Sequence, residues 1–143
     1  MKASVKWIEA AKMEGRSGSG HSMIIDGPES IGGQNLGMRP MELMLMSVGA
    51  CSSVDVISIL KKARQEVEDC LVEVDGERAD AVPAVFEKIH LHFKVSGKSL
   101  DEQKVIRAVE LSADKYCSAS IMLKNAGVQM SHSVELIDTA SSA

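Results

Sequence analysis

Apolar and polar positions alternate in several short stretches of the chain. Ala3, Val5 and Trp7 alternate with Lys2, Ser4 and Lys6, the period-two pattern of a half-buried strand. His21 to Asp26 reads as a second, short apolar strand. Cys70, Val72 and Val74 alternate with Leu71, Glu73 and Asp75. Ile89, Leu91, Phe93 and Val95 alternate with Lys88, His90, His92 and Lys94, the clearest one-face-buried strand of the chain. Val128, Met130, His132, Val134 and Leu136 give a last strand. Gly15 to Gly20 reads as a turn or flexible loop. Gly27 to Gly37, with four glycines and Pro28, reads as a long loop of the kind that is often functional or mobile.

A different pattern fills the middle. Pro40 suits the first position of a helix, and Glu42 lies in its first turn, at the positive end of the helix dipole. From Leu43 to Leu60 the residues are apolar on nearly every side, and Lys61, Lys62 and Arg64 mark the return to water. A helix apolar all round must be buried all round. A small domain does not cover such a helix alone, so a partner subunit is expected. Further on, Ser99-Leu100-Asp101-Glu102 matches a capping box and opens a helix through Val105, Ala108, Val109, Ser112 and Tyr116. Cys117 to Asn125 continues as a second helical piece that Gly127 stops.

The predicted order is residues 1–38 strands and loop, 39–66 central helix, 67–138 strands and helices, and 139–143 a small polar tail expected to fray. Strands and helices are segregated, so the class is α+β with a largely antiparallel sheet in a single domain. The length of 143 residues suits one core.

Composition then narrows the chemistry. Lys plus Arg number 16 against 20 Asp plus Glu, a formal charge of −4, which argues against nucleic acid or an anionic membrane as partner. Aromatic residues are 3%, too few for base-stacking platforms. The uncharged apolar stretch Leu43 to Val54 is short for a bilayer span. No signal-peptide run opens the chain, so the cytoplasm is expected. Three cysteines do not make a disulfide scaffold, and without a Cys-x-x-Cys pair no structural zinc site is expected. Nor is a cofactor.

Cys51 lies mid-helix among small residues, Val48-Gly49-Ala50-Cys51-Ser52-Ser53. Cys117 lies at a joint between helices, where a helix N-terminus favours the thiolate. Cys70 reads as an inert inward strand residue. His90 and His92 share a solvated face with two lysines, His132 reads as a core histidine, and His21 follows the Gly/Ser loop.

The segment from Gly37 to Cys51, Gly-Met-Arg-Pro-Met-Glu-Leu-Met-Leu-Met-Ser-Val-Gly-Ala-Cys, resembles the Pro-x-Glu-Leu…Cys helix of the OsmC/Ohr family. Cys117-Ser118-Ala119-Ser120-Ile121-Met122-Leu123 resembles that family's second cysteine segment. Lys6-Trp7, Gly20-His21, Asp55 to Leu60, Leu91-His92-Phe93 and Lys115 to Ser118 are most similar to its YhfA-like branch. The resemblance implies an OsmC-like fold: antiparallel sheets wrapped around long central helices in an intertwined homodimer. It also implies a thiol peroxidase. Cys51 would attack the O–O bond of an organic hydroperoxide, Cys117 would close a disulfide on the resulting sulfenic acid, and a dithiol reductant would reopen it. In the family's peroxidases a loop Arg and a Glu at the start of the central helix orient the nucleophile. Arg16 matches the Arg, with Arg39 a second candidate. The Glu position is Met41 here and Glu42 is its neighbour, a rotation of about 100° on a helix.

Three readings follow. The first is the peroxidase of Cys51, Cys117, Arg16 and Glu42, acting in oxidative stress defence. The second is a non-catalytic protein of the same fold that binds an apolar small molecule in a Met-rich pocket. The third is a Cys-dependent acyl-transfer enzyme, which needs His21 or His132 within hydrogen-bond reach of Cys51.

Overall fold

The computed structural model describes residues 1–140, so the tail expected at 139–143 lies outside the described residues from 141 on. The chain forms two compact units, Met1–Met44 and the remainder from Leu45.

The first unit is an antiparallel meander of β1 (Ala3–Glu9), β2 (Lys12–Ser17) and β3 (Ser22–Asp26). The β2 strand corrects the loop expected from Gly15. Gly15 pairs with Val5 on one side and Met23 on the other, and Arg16 with Ser4 and Ser22. Two-sided pairing holds small residues in a ladder that their composition argues against, and the turn shrinks to 18–20. The β1 strand is exposed on both faces. Trp7 keeps 67% of its surface, and its ring nitrogen donates to the Ala10 carbonyl at 2.8 Å.

The Gly27–Gly37 loop is hung on one buried carboxylate. Asp26 is 2% exposed and accepts from the backbone N–H groups of Gly27 at 2.9 Å, Gln34 at 2.9 Å and Leu36 at 3.2 Å. The loop makes a single 3₁₀ turn, Glu29–Ile31, and passes so close to itself that a side chain at Gly33 would meet the Gly27 carbonyl.

The second unit carries the core. Its helix α1 (Pro40–Lys62) begins in the first unit. Strands β4 (Glu66–Arg78) and β5 (Phe86–Lys98) form an antiparallel hairpin, and β6 (Gln129–Asp138) pairs with β5 in parallel. A parallel neighbour requires a crossover, which α2 (Glu102–Leu111), a π turn at Ser112–Tyr116 and α3 (Ser118–Asn125) provide. The sheet is therefore mixed rather than wholly antiparallel, within an α+β fold.

The alternation in β5 works as predicted. Ile89, Leu91, Phe93 and Val95 are buried, and the cluster includes Val48, Val56 and Leu60 of α1 and Val105, Ala108 and Val109 of α2. Each of the fully buried large side chains, Leu60 and Phe93 among them, contributes about 1.5–3 kcal/mol relative to exposure. Gly49 brings α1 close to the sheet, since a Cβ there would lie 2.9 Å from Val74 Cγ2. On the outer face of β5 the histidines are more than solvated neighbours. His90 bridges the hydroxyls of Ser131 and Ser133 at 2.7 and 2.8 Å, and His92 joins Ser133 at 2.6 Å to Glu135 at 3.4 Å.

Two local expectations change. The cap of α2 is Asp101, which accepts from the N–H groups of Gln103 and Lys104, while Ser99 has a positive φ of 49° and stands outside the helix. A Ser–Glu spacing was outcompeted by a carboxylate placed next to the first helical residue. The α3 helix does stop at Gly127, with φ of 100° and paired bonds from Gly127 N–H to Lys124 and Val128 N–H to Leu123.

The α1 helix ends at Lys62 and contains the whole apolar stretch read from the sequence. It is long and apolar enough to cross a membrane by length and composition alone, with a mean hydropathy of 1.9 over its most apolar 18 residues. Val48, Val56 and Leu60 nevertheless belong to the core, whereas Val54 remains 68% exposed.

Candidate active site

Cys51 and Cys117 stand 66 residues apart in sequence, yet their sulfurs and a carboxylate oxygen of Asp55 all lie within 4.8 Å of one another. Both thiols are free. Their meeting follows from local structure. Cys51 and Asp55 are four apart on α1 and so share a face. Cys117 is the residue that begins α3, delivered there by the π turn, whose wide loop closes with the Cys117 N–H on the Ser112 carbonyl at 2.8 Å.

The first turn of α3 serves both sulfurs. The Ala119 N–H donates to Cys51, and the Ser120 N–H donates to Cys117 at 3.4 Å. Ser52, buried beside Cys51 on α1, donates its hydroxyl to the Cys117 sulfur at 3.2 Å and lies 3.5 Å from the Ser120 hydroxyl. The Ser112 hydroxyl lies 3.3 Å from both the Ser52 carbonyl and Asp55 Oδ2.

These partners divide the two thiols electrostatically. For Cys117, burial is the largest single influence and pushes the thiol up. The hydroxyls of Ser120 and Ser52, the Ser120 N–H and the Cys51 thiol outweigh it, so Cys117 falls below its ordinary value. For Cys51, the Ala119 N–H pulls down most strongly. Burial, the neighbouring Cys117 sulfur and the Asp55 carboxylate together push it above the ordinary thiol range. Of the two, Cys117 is the thiol that gives up its proton more readily. Cys117 is completely buried, whereas Cys51 is half-buried.

The other predicted residues are placed as follows. Arg16 lies on β2 and is ion-paired with Glu14, at 3.2 and 3.3 Å. Glu42 accepts from the Arg39 N–H at 3.1 Å and so caps the start of α1, the reciprocal half of a capping box. Met41 is its half-buried neighbour. Cys70 is pushed up by burial and by Asp69, with the Ser53 hydroxyl pulling against them. His132 is exposed rather than a core histidine, and lines a cavity of about 280 Å³ with Ser120 and Met130. Among the described residues, the hydrogen bonds found at the two sulfurs come from Ser52, Ala119, Ser120 and the thiols themselves, and none from an imidazole. His21 bonds to Ser17 and Ser19 within its own turn.

Sequence reasoning passed over Asp55, Ser52, Ser112 and Ser120. The available signal was Asp55 itself, the one charged residue in the apolar stretch from Leu43 to Leu60, one turn from a cysteine. Asp55 also lines a cavity of about 370 Å³ with Ser58, Ile59, Lys62, Leu111 and Tyr116.

Comparison with known proteins places this site in context. The model of the OsmC-like protein family matches residues 32–133. Protein YhfA of Escherichia coli K12 is 45% identical over 137 residues, covering 96% of this chain and 98% of that one. Among solved structures, a hypothetical protein from Aquifex aeolicus is 30% identical with a TM-score of 0.80, over 96% of this chain and 97% of the other. An organic hydroperoxide resistance protein from Elizabethkingia anophelis shares the fold, at 14% identity and a TM-score of 0.67, over 96% of this chain and 94% of its own.

Proposed function

Since this chain belongs to the OsmC-like family, we propose that it is a two-cysteine thiol peroxidase that reduces organic hydroperoxides in the cytoplasm in defence against oxidative stress. The observation that carries the reading is the meeting of Cys51 and Cys117 at the N-terminus of α3.

The chemistry divides between the two sulfurs. Cys51 is the half-buried one and meets the substrate. Its proton passes to Cys117, and the Cys51 thiolate attacks the distal oxygen of the hydroperoxide. The O–O bond breaks, the alcohol leaves with a proton, and Cys51 becomes a sulfenic acid. The Cys117 sulfur then attacks Cys51, water leaves, and a disulfide forms. A dithiol reductant attacks the Cys51 sulfur and expels Cys117, which the Ser52 hydroxyl and the hydroxyl and N–H of Ser120 make the better leaving group. Arg16, freed from Glu14, is the proposed thiolate partner, and Glu42 supports the site by fixing the start of α1. The exposed apolar side chains Met46 and Val54 support a homodimer that covers α1.

The test is an intact mass after one equivalent of an organic hydroperoxide is added to the reduced protein. The expected result is loss of two hydrogens in the wild type, an added oxygen in Cys117→Ser, and no change in Cys51→Ser. Retained turnover in Cys51→Ser would overturn the proposal. A second reading, a non-catalytic binder of an apolar small molecule, is favoured by the raised Cys51 thiol and the cavity beside Asp55. An unchanged wild-type mass with both thiols free would put it first.

A further inference from the structure

We propose that the reduced site also binds one soft divalent metal ion, of which zinc is the type, through Cys51, Asp55 and Cys117. Three donor atoms of the kind zinc prefers, two sulfurs and a carboxylate oxygen, already lie within 4.8 Å of one another. Donors on a tetrahedral zinc stand roughly 3.5–3.8 Å apart, given bonds of about 2.3 Å to sulfur and 2.0 Å to oxygen. The site therefore needs to close by at most about 1.3 Å, a movement within reach of three side chains turning about their own bonds.

The surroundings have the form of a metal site rather than of a chance cluster. The sulfur of Cys117 receives a hydroxyl and an N–H, from Ser52 and Ser120, and Cys51 receives the Ala119 N–H. Asp55 receives the Ser112 hydroxyl. Outer partners of this sort orient ligands and are themselves worth 10–100-fold in affinity. The sequence conceals the set because its cysteines are not a Cys-x-x-Cys pair.

Binding converts both thiols to metal thiolates and releases their remaining protons to solvent. A metal thiolate pair cannot be a disulfide, so metal and oxidation exclude each other. That regulatory consequence rests on the peroxidase reading, whereas the binding itself does not.

The experiment titrates anaerobic, reduced, full-length protein with Zn²⁺ and then with Co²⁺, without peroxide. One ion per chain is expected, with loss of two reactive thiols and a thiolate-to-cobalt absorption band. Wild type oxidised with a thiol oxidant should bind none. Ser112→Ala should weaken binding about tenfold while both thiols stay reactive, and Cys70→Ser should leave it unchanged. Binding that persists in the oxidised protein, a cobalt spectrum without the thiolate band, or no uptake by the reduced wild type would each overturn the proposal. The comparison of reduced with oxidised wild type tests the site even if a variant fails to fold. Hydroperoxide consumption, measured separately on metal-free protein, tells failure of the metal site from failure of the peroxidase.

Discussion

The two units each hold a carboxylate inside folded structure, and the two are used differently. Asp26 is enclosed by three backbone N–H groups that need an acceptor, and the Gly27–Gly37 loop takes its shape from those bonds. Asp55 has the Ser112 hydroxyl on one oxygen and two sulfurs nearby. A carboxylate whose lone pairs are filled by backbone donors is a fixture of the fold. One set beside thiols, with a cavity at its flank, changes what those thiols can do. The difference lies in the partners, since the residue type is the same.

The largest expected effect breaks the first half of this contrast. Asp26→Ala leaves three loop N–H groups without their acceptor, and hydrogen exchange across residues 27–37 should lose its protection. Acid should act in the same direction. The N–H groups of Gln34, Leu36 and Gly27, with Lys12 nearby, hold the Asp26 carboxyl below its ordinary value against the opposing effect of burial. A lowered folded pKa contributes stability that is present above the unfolded value of about 3.9 and is lost as pH falls through the folded one. Loop protection measured from pH 6 downward should therefore hold until the pH is below about 4 and then fall. Protection that is flat across this range would show that Asp26 does not organise the loop.

Asp55→Asn sharpens the second half. Removing the negative charge should lower the Cys51 pKa, so the pH midpoint for alkylation of Cys51 moves down. The rate at neutral pH should rise by up to about tenfold, the equivalent of one pKa unit. An unmoved midpoint would mean that Asp55 does not act on the thiol.

The smallest effect comes from Ser52→Ala, which removes one donor from Cys117. The Cys117 pKa should rise, reduction of the disulfide by a dithiol should slow severalfold, and stability should fall by about 1 kcal/mol. Stopped-flow reduction and a denaturant melt read the two effects. A loss of stability without slower reduction would leave Ser52 a packing residue only.

How much of this was legible in the sequence depended on whether a feature is local. The β5 alternation, Pro40 at the start of α1 and Gly127 at the end of α3 are local, and each is where the pattern put it. The β2 ladder was misread because Gly15 and Ser17 favour turns, and only pairing on both sides keeps them extended. The parallel placement of β6 depends on a crossover that no strand pattern encodes. His132 follows the apolar alternation of its strand and is nonetheless exposed. At the site, the two cysteine segments were recognisable one at a time. The roles of Ser52, Asp55, Ser112 and Ser120 exist only once α1 and α3 meet, and a lone Asp in an apolar helix was the single trace of them.

The π turn before Cys117 has a consequence for descent. Such a turn holds one residue more than the α-helical turn it replaces. Removing one residue between Ser112 and Tyr116 would turn the bond from Cys117 N–H to the Ser112 carbonyl into an ordinary α-helical one and leave Cys117 stacked over the same turn. The π turn thus absorbs one residue without moving the sulfur. A lineage could gain or lose that residue by a single codon insertion or deletion and still keep the pair.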